Sequence, residues 1–171
     1  MDPDTVAQHK SGTAHGVKAA VVTLSTTRTL DTDVSGAAVR DLLAAAGHTV
    51  AVHLVIKDDA ETLRGTLQSL SADPELRLII TNGGTGLAPL DITVETVTPL
   101  FAKELTGFAA LFAMLSWEQV RSAAILSRAT AGILGDKVVF CLPGSPKACR
   151  LAVEKLILPE IGHILRQIAA G

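Results

Sequence analysis

The sequence predicts an α/β protein, a three-layer α/β/α sandwich on a mostly parallel central sheet. Three observations carry that prediction. Short, continuous aliphatic runs alternate with segments of helical period, as parallel strands joined by crossover helices require. The 171 residues are 48% hydrophobic but only 3% aromatic, with no Tyr, so the core is assembled from Ala, Val, Leu and Ile, the residues of strands buried on both faces. Each strand-like run is followed by a polar loop, and such loops emerge together at the carboxyl edge of a parallel sheet, where ligands bind.

Residues 1–16, MDPDTVAQHKSGTAHG, are small and polar without period and read as a flexible tail. Residues 17–171 read as one domain, a length that a single core supports. VKAAVVTL (17–24) is a strand, and SGAAVRDLLAAAGH a helix with Val39, Leu42, Leu43 and Ala46 on one face and Gly47 as its C-terminal cap. TVAVHLVI (49–56) is the second strand, residues 59–71 a helix capped by Asp58 or Asp59, and ELRLIIT (75–81) the third strand. A helix is expected from Asp91 to about Lys103, broken at Thr106-Gly107. FAALFAMLSWEQV forms another, its LFAMLSW cluster (111–117) suiting either the core or a subunit contact, with the core favoured. VVFCL (138–142) is a further strand, and a helix from Pro146 to about Ile168 is interrupted or bent at Pro159.

Composition removes several function classes. Net charge is -2 with scattered Lys and Arg, which gives no basic stripe for nucleic acid. No apolar run is long enough for a membrane span and no signal-peptide core is visible, so a cytoplasmic protein is expected. Cys141 and Cys149 imply no disulfide framework, and the five histidines show no metal-ligand spacing.

The loops after the strands run over residues 25–36, 57–61, 82–91 and 143–147. In NGGTG, Gly83, Gly84 and Gly86 leave the backbone free to take positive φ and to bring its N–H groups against a bulky ligand, with Thr85 as a hydroxyl donor; a phosphate is the natural occupant. Ser145 and Pro146 open a helix beside Lys147, an ordinary helix start that also suits an anion. Asp33 and Ser35 either cap the first helix or face the ligand. Asp58 and Asp91 are each cap candidates, yet both would project from the ligand edge. Two carboxylates beside a phosphate require a cation between them, which points to Mg²⁺ and to phosphoryl or nucleotidyl transfer.

Four motifs then fall into one pattern. TRTLDTDVSG (27–36), GGTGLAPLDIT (83–93), LSRATAGI (126–133) and LPGSPKAC (142–149), in this order, resemble the MoaB/MogA family of molybdenum cofactor biosynthesis across residues 17–168. LFAMLSWEQV and PGSPKACRLAVEKLILPEI resemble its MoaB branch. The resemblance implies the MogA-like molybdopterin-binding fold, a homotrimer or homohexamer, contact with other proteins of the pathway, and a molybdopterin adenylyltransferase. In that reaction ATP and molybdopterin give adenylyl-molybdopterin and pyrophosphate with Mg²⁺ assistance. It also implies roles: Asp58 and Asp91 as the catalytic, metal-holding carboxylates; Gly83, Gly84, Thr85 and Gly86 on the phosphates, with Asp33, Ser35 and Gly36 adjoining. Ser127, Arg128, Pro143, Gly144, Ser145 and Lys147 would hold the rest of molybdopterin, although Arg128 also suits a structural salt bridge. The alternative function is a catalytically inactive molybdopterin carrier or assembly protein. The chain departs from the family at Leu90, where arginine is frequent, at Ser25-Thr26, where Ser-Asp is frequent, and at Asn82, where a small residue is common.

Overall fold

The computed structural model describes residues 16–170. The expected tail, residues 1–16, lies outside them except for Gly16, whose N–H donates to Gly47 O at 3.0 Å. Strands β1 (Lys18–Leu24), β2 (Thr49–Ile56), β3 (Leu76–Asn82), β4 (Lys103–Glu104), β5 (Thr130–Leu134) and β6 (Lys137–Leu142) form one sheet in the order β2-β1-β3-β6-β5-β4. The first three and β6 pair in parallel, whereas β5 and β4 run antiparallel at one edge. Because β2 and β3 flank β1 on opposite sides, the loops leaving β1 and β3 diverge, and a crevice opens at their carboxyl ends.

Alternating strand residues feed two cores. Val21, Ile80 and Phe140 pack with helices α1 (Val34–Ala45), α4 (Thr106–Val120), α5 (Pro146–Ala152) and α6 (Leu158–Ala169). Val22, Ile79 and Cys141 pack with α2 (Ala60–Ala72) and α3 (Thr93–Val97) on the other face. The period-2 geometry of a strand divides its residues in this way, so the sheet is the middle of three layers.

Three expectations need correction. The helix expected to reach Lys103 stops at Val97 and gives way to a 3₁₀ turn, Thr98–Leu100, because Pro99 has no N–H to donate to the carbonyl four residues back. The next backbone groups turn to the sheet: Ala102 N–H donates to Ile133 O and Leu105 N–H to Ala131 O, both at 2.8 Å, which creates β4. Second, α5 and α6 are joined by a π turn, Val153–Ile157, so the irregularity lies just before Pro159; its wider ladder relieves the clash a proline ring makes with the carbonyl of Lys155. Third, α4 buries Phe108, Phe112 and Ser116 at four-residue spacing. Leu111 (49% exposed), Met114 (66%) and Trp117 (53%) face outward, so the LFAMLSW cluster is only half core.

Candidate functional site

A cavity of about 560 Å³ lies over the carboxyl ends of β3 and β6. One wall is the glycine loop. Gly83 and Gly84 have φ of 98° and 65°, and a side chain on either would be strained: a Cβ on Gly83 would sit 2.4 Å from Leu24 O, and one on Gly84 would sit 2.5 Å from Thr93 Oγ1. The loop is pinned from three directions. Gly83 N–H donates to Leu142 O at 3.0 Å, Thr93 N–H to Gly84 O at 2.9 Å, and Thr93 Oγ1 to Gly83 O at 2.8 Å. A turn fixed in this way keeps its shape when an anion arrives; the Gly83 N–H is spent on Leu142 O, which leaves the amides of Gly84 and Gly86 as the donors.

Asp91 belongs to the same wall. It does not cap α3, whose preceding residue is Ile92. Its Oδ2 accepts the Ala88 N–H at 2.9 Å, its own N–H donates to Ala88 O at 2.9 Å, and a Cβ on Gly86 would lie 2.5 Å from Oδ2. The carboxylate is thus clipped against the bare loop by one oxygen, while Oδ1 takes no hydrogen bond from the described residues. Of the two candidate caps after β2, Asp59 performs that role, accepting the Thr62 N–H at 2.8 Å. Asp58 is left without a hydrogen bond to the described residues, its Oδ1 3.6 Å from the place a Cβ of Gly84 would take. Asp58 therefore borders the glycine loop, although it is not part of the cavity wall.

The adjoining wall comes from the β6–α5 loop, where Pro143, Gly144, Ser145 and Lys147 all line the cavity. Ser145 Oγ caps α5 through the Ala148 N–H at 3.2 Å, and Gly144 approaches Gly83 so closely that a Cβ would lie 3.2 Å from its Cα. The roof is the end of α4 and the following 3₁₀ helix, Arg121–Leu126, contributing Phe112, Val120 and Leu126. Ser127 completes it, and its Oγ is buried with no partner. A buried hydroxyl without a partner is costly unless something in the cavity supplies one.

Four residues assigned to the ligand by resemblance do not line this cavity. Asp33 is 2% exposed: Oδ1 accepts the Gly36 N–H at 2.9 Å, and Oδ2 accepts Thr23 Oγ1 at 2.5 Å and His53 Nε2 at 3.0 Å. It caps α1. Burial pulls its carboxyl upward, but the hydrogen bonds from Thr23, Gly36 and His53 outweigh this and hold it below the ordinary value. Gly36 is absorbed by the same cluster, since a Cβ would fall 2.1 Å from Asp33 Oδ2. Ser35 is buried, its Oγ donating to Gly144 O at 2.7 Å, so it braces the β6–α5 loop from behind. Arg128 is paired with Glu95, whose carboxyl is lowered first by that hydrogen bond, and Arg128 is outside the cavity wall. Sequence reasoning missed Arg28, which does line the cavity, and the polar Ser116 and Gln119 on α4. Arg28 sits inside the TRTL motif; the α4 residues carried no local signal, because a different layer delivers them.

The residues present fit a magnesium ion. Asp91 Oδ1 and the Asp58 carboxylate are hard oxygen donors that border the same glycine loop, and neither takes a hydrogen bond from the described residues. No group of three or more His, Cys, Asp or Glu side chains stands together among the described residues, so the ion would complete its shell with water and substrate oxygens, as Mg²⁺ usually does.

A family described as a probable molybdopterin binding domain matches residues 20–163. Molybdenum cofactor biosynthesis protein B of Bacillus subtilis is 44% identical over 165 residues, covering 96% of this chain and 97% of that protein. Among solved structures, a molybdenum cofactor biosynthesis protein B superposes with a TM-score of 0.89 at 43% identity, covering 91% of this chain and 98% of that one. The tungsten cofactor synthesizing protein MoaB from Pyrococcus furiosus gives 0.78 at 34%, with coverage of 91% and 98%.

Proposed function

The chain belongs to the molybdopterin-binding domain family of molybdenum cofactor biosynthesis, and from that premise we propose that it is a molybdopterin adenylyltransferase. A terminal phosphate oxygen of molybdopterin attacks the α-phosphorus of ATP; the new P–O bond forms as the bond from that phosphorus to the bridging oxygen breaks, and pyrophosphate leaves. The observation that carries the reading is Asp91, clipped by one oxygen to the loop whose glycines line the cavity.

Each residue has a defined task. The nucleophile is already anionic at neutral pH, so no general base is needed, and catalysis rests on positioning and charge. The amides of Gly84 and Gly86 donate to phosphate oxygens, with Thr85 beside them, while Gly83, whose N–H is taken by Leu142 O, holds the turn in place. Lys147 offsets charge from the adjoining β6–α5 wall. Ser127 Oγ, buried without a partner, donates to the substrate. Asp58 and Asp91 would hold Mg²⁺, which supplies charge neutralisation between phosphate oxygens and polarises the α-phosphorus.

The same reading makes the protein a homotrimer or homohexamer, for which the outward Leu111, Met114 and Trp117 supply apolar surface; sedimentation measures it. Among the described residues no helix is long and apolar enough to cross a membrane, in keeping with a cytoplasmic biosynthetic step. Incubation with molybdopterin, ATP and Mg²⁺ should release pyrophosphate, with loss of turnover in Asp91→Ala and a strong reduction in Asp58→Ala. Tight molybdopterin binding without pyrophosphate would assign the protein as a carrier, and full turnover by Asp91→Ala would refute the site.

A further inference from the structure

We propose that Arg28 is the anion-binding arginine of the cavity, the part that the resemblance gives to Arg128. Two arginines stand near the site and their surroundings separate them. Arg128 is committed to the Glu95 carboxylate and lies outside the wall. Arg28 is half-buried on the loop after β1, lines the cavity and forms no ion pair with any described carboxylate. Its protein contacts are neutral and long: Nη1 donates to Gly144 O at 3.3 Å and to Ser35 Oγ at 3.4 Å. Gly144 O already receives the Ser35 hydroxyl at 2.7 Å.

A guanidinium carries five N–H donors in a planar fork. Those on Nη1 are aimed at Gly144 O of the β6–α5 loop and Ser35 Oγ of α1, which fixes the plane, while Nε and Nη2 meet no acceptor among the described residues. A half-buried cation held in this way is incomplete until an anion arrives, and its planar fork matches two phosphate oxygens. Lys147 is the other cation of the wall, and Leu90, at the loop position where an arginine is frequent, is 66% exposed and supplies no charge. Arg28 and Lys147 therefore bracket the β6–α5 loop, and the Ser127 hydroxyl offers a further donor. The ligand this arrangement suits carries at least two phosphate groups, one on the glycine loop and one on the fork of Arg28. Arg28 also ties its own loop to Gly144, so an anion docking on it stiffens the contact between the two loops.

The inference rests on reading the cavity as a phosphate site, and its test uses a probe that needs no turnover. Titration calorimetry with inorganic pyrophosphate should give saturable binding to the wild-type protein, weakened roughly ten- to a hundredfold in Arg28→Ala, with a smaller loss in Arg28→Lys. Arg28→Gln keeps a donor for Gly144 O and guards against loop collapse; it should bind as weakly as the alanine variant while its melting temperature stays at the wild-type value. Undiminished binding by Arg28→Gln, no pyrophosphate binding by the wild type, or a loss confined to Arg128→Gln would each overturn the inference. Arg28-dependent binding without formation of adenylyl-molybdopterin would leave it standing and sink the adenylyltransferase reading instead.

Discussion

Adding a single carbon at Gly84 tests whether the glycine loop is as tightly determined as the geometry implies. In Gly84→Ala the new Cβ would lie 2.5 Å from Thr93 Oγ1, so Thr93 has to retreat by nearly an ångström to reach ordinary contact. Its hydroxyl is the donor to Gly83 O at 2.8 Å, and Thr93 is fully buried. Losing that bond without water to replace it costs about 1–3 kcal/mol. The backbone at φ 65° adds about 1 kcal/mol for any residue with a Cβ. Together these give roughly 2–4 kcal/mol, against a total stability of about 5–15 kcal/mol for a domain, so the variant folds but melts about 5–15 °C lower. Urea unfolding measures the change, and pyrophosphate titration measures the loop. Gly65→Ala is the counterpart: the same substitution in mid-helix α2, where no atom lies within 4 Å of the new Cβ, should stabilise by about 0.5–1 kcal/mol. If Gly84→Ala unfolds at the wild-type urea concentration, the loop is not pinned by Thr93 and the argument for preformed amides fails.

Two more outcomes follow from the buried groups. Asp33 has its carboxyl lowered in the folded state, so its stabilisation is present above the unfolded carboxylate value near pH 4 and is lost as pH falls through the folded one. Asp33→Asn should be less stable at neutral pH and should lose less stability than the wild type between about pH 4 and pH 2, read from urea midpoints across that range; parallel curves would show that the cluster does not titrate on unfolding. The thiols of Cys141 and Cys149 are each pushed up to about 12 by burial. Both should resist Ellman's reagent at pH 8 in the native protein and react fully in denaturant, and a fast-reacting native thiol would contradict their placement in the two cores.

The parallel half of the sheet was legible because β1, β3 and β6 are buried on both faces and leave unbroken aliphatic runs. The antiparallel edge was not. β5 reads TAGIL, with Gly132 at its centre, and no alternation marks it; the glycine is there because the Phe101 ring occupies the space, a Cβ falling 2.3 Å from it. β4 is two charged residues whose strand character comes wholly from hydrogen bonds to β5. Its pairing is tertiary, and no local propensity can announce it. The π turn was hidden for a related reason: Pro159 signals an irregularity, but the ladder absorbs it a few residues upstream.

The site divides along the same line. Glycines, aspartates and helix starts are local devices, and the glycine loop with the Ser145 cap could be expected from residue type alone. Charge balance cannot, since it depends on which carboxylate happens to lie beside which cation. Asp33 and Asp91 look alike in sequence, each just ahead of a helix, yet Thr23 from β1 and His53 from β2 converge on Asp33 and leave it no open oxygen, whereas Asp91 meets one loop amide and keeps a free one. Arg28 and Arg128 differ in the same way, one facing a cavity and the other a glutamate 33 residues away along the chain. An ionisable group becomes available to a substrate when the fold withholds its counter-charge, and only the packed structure decides which groups are left wanting.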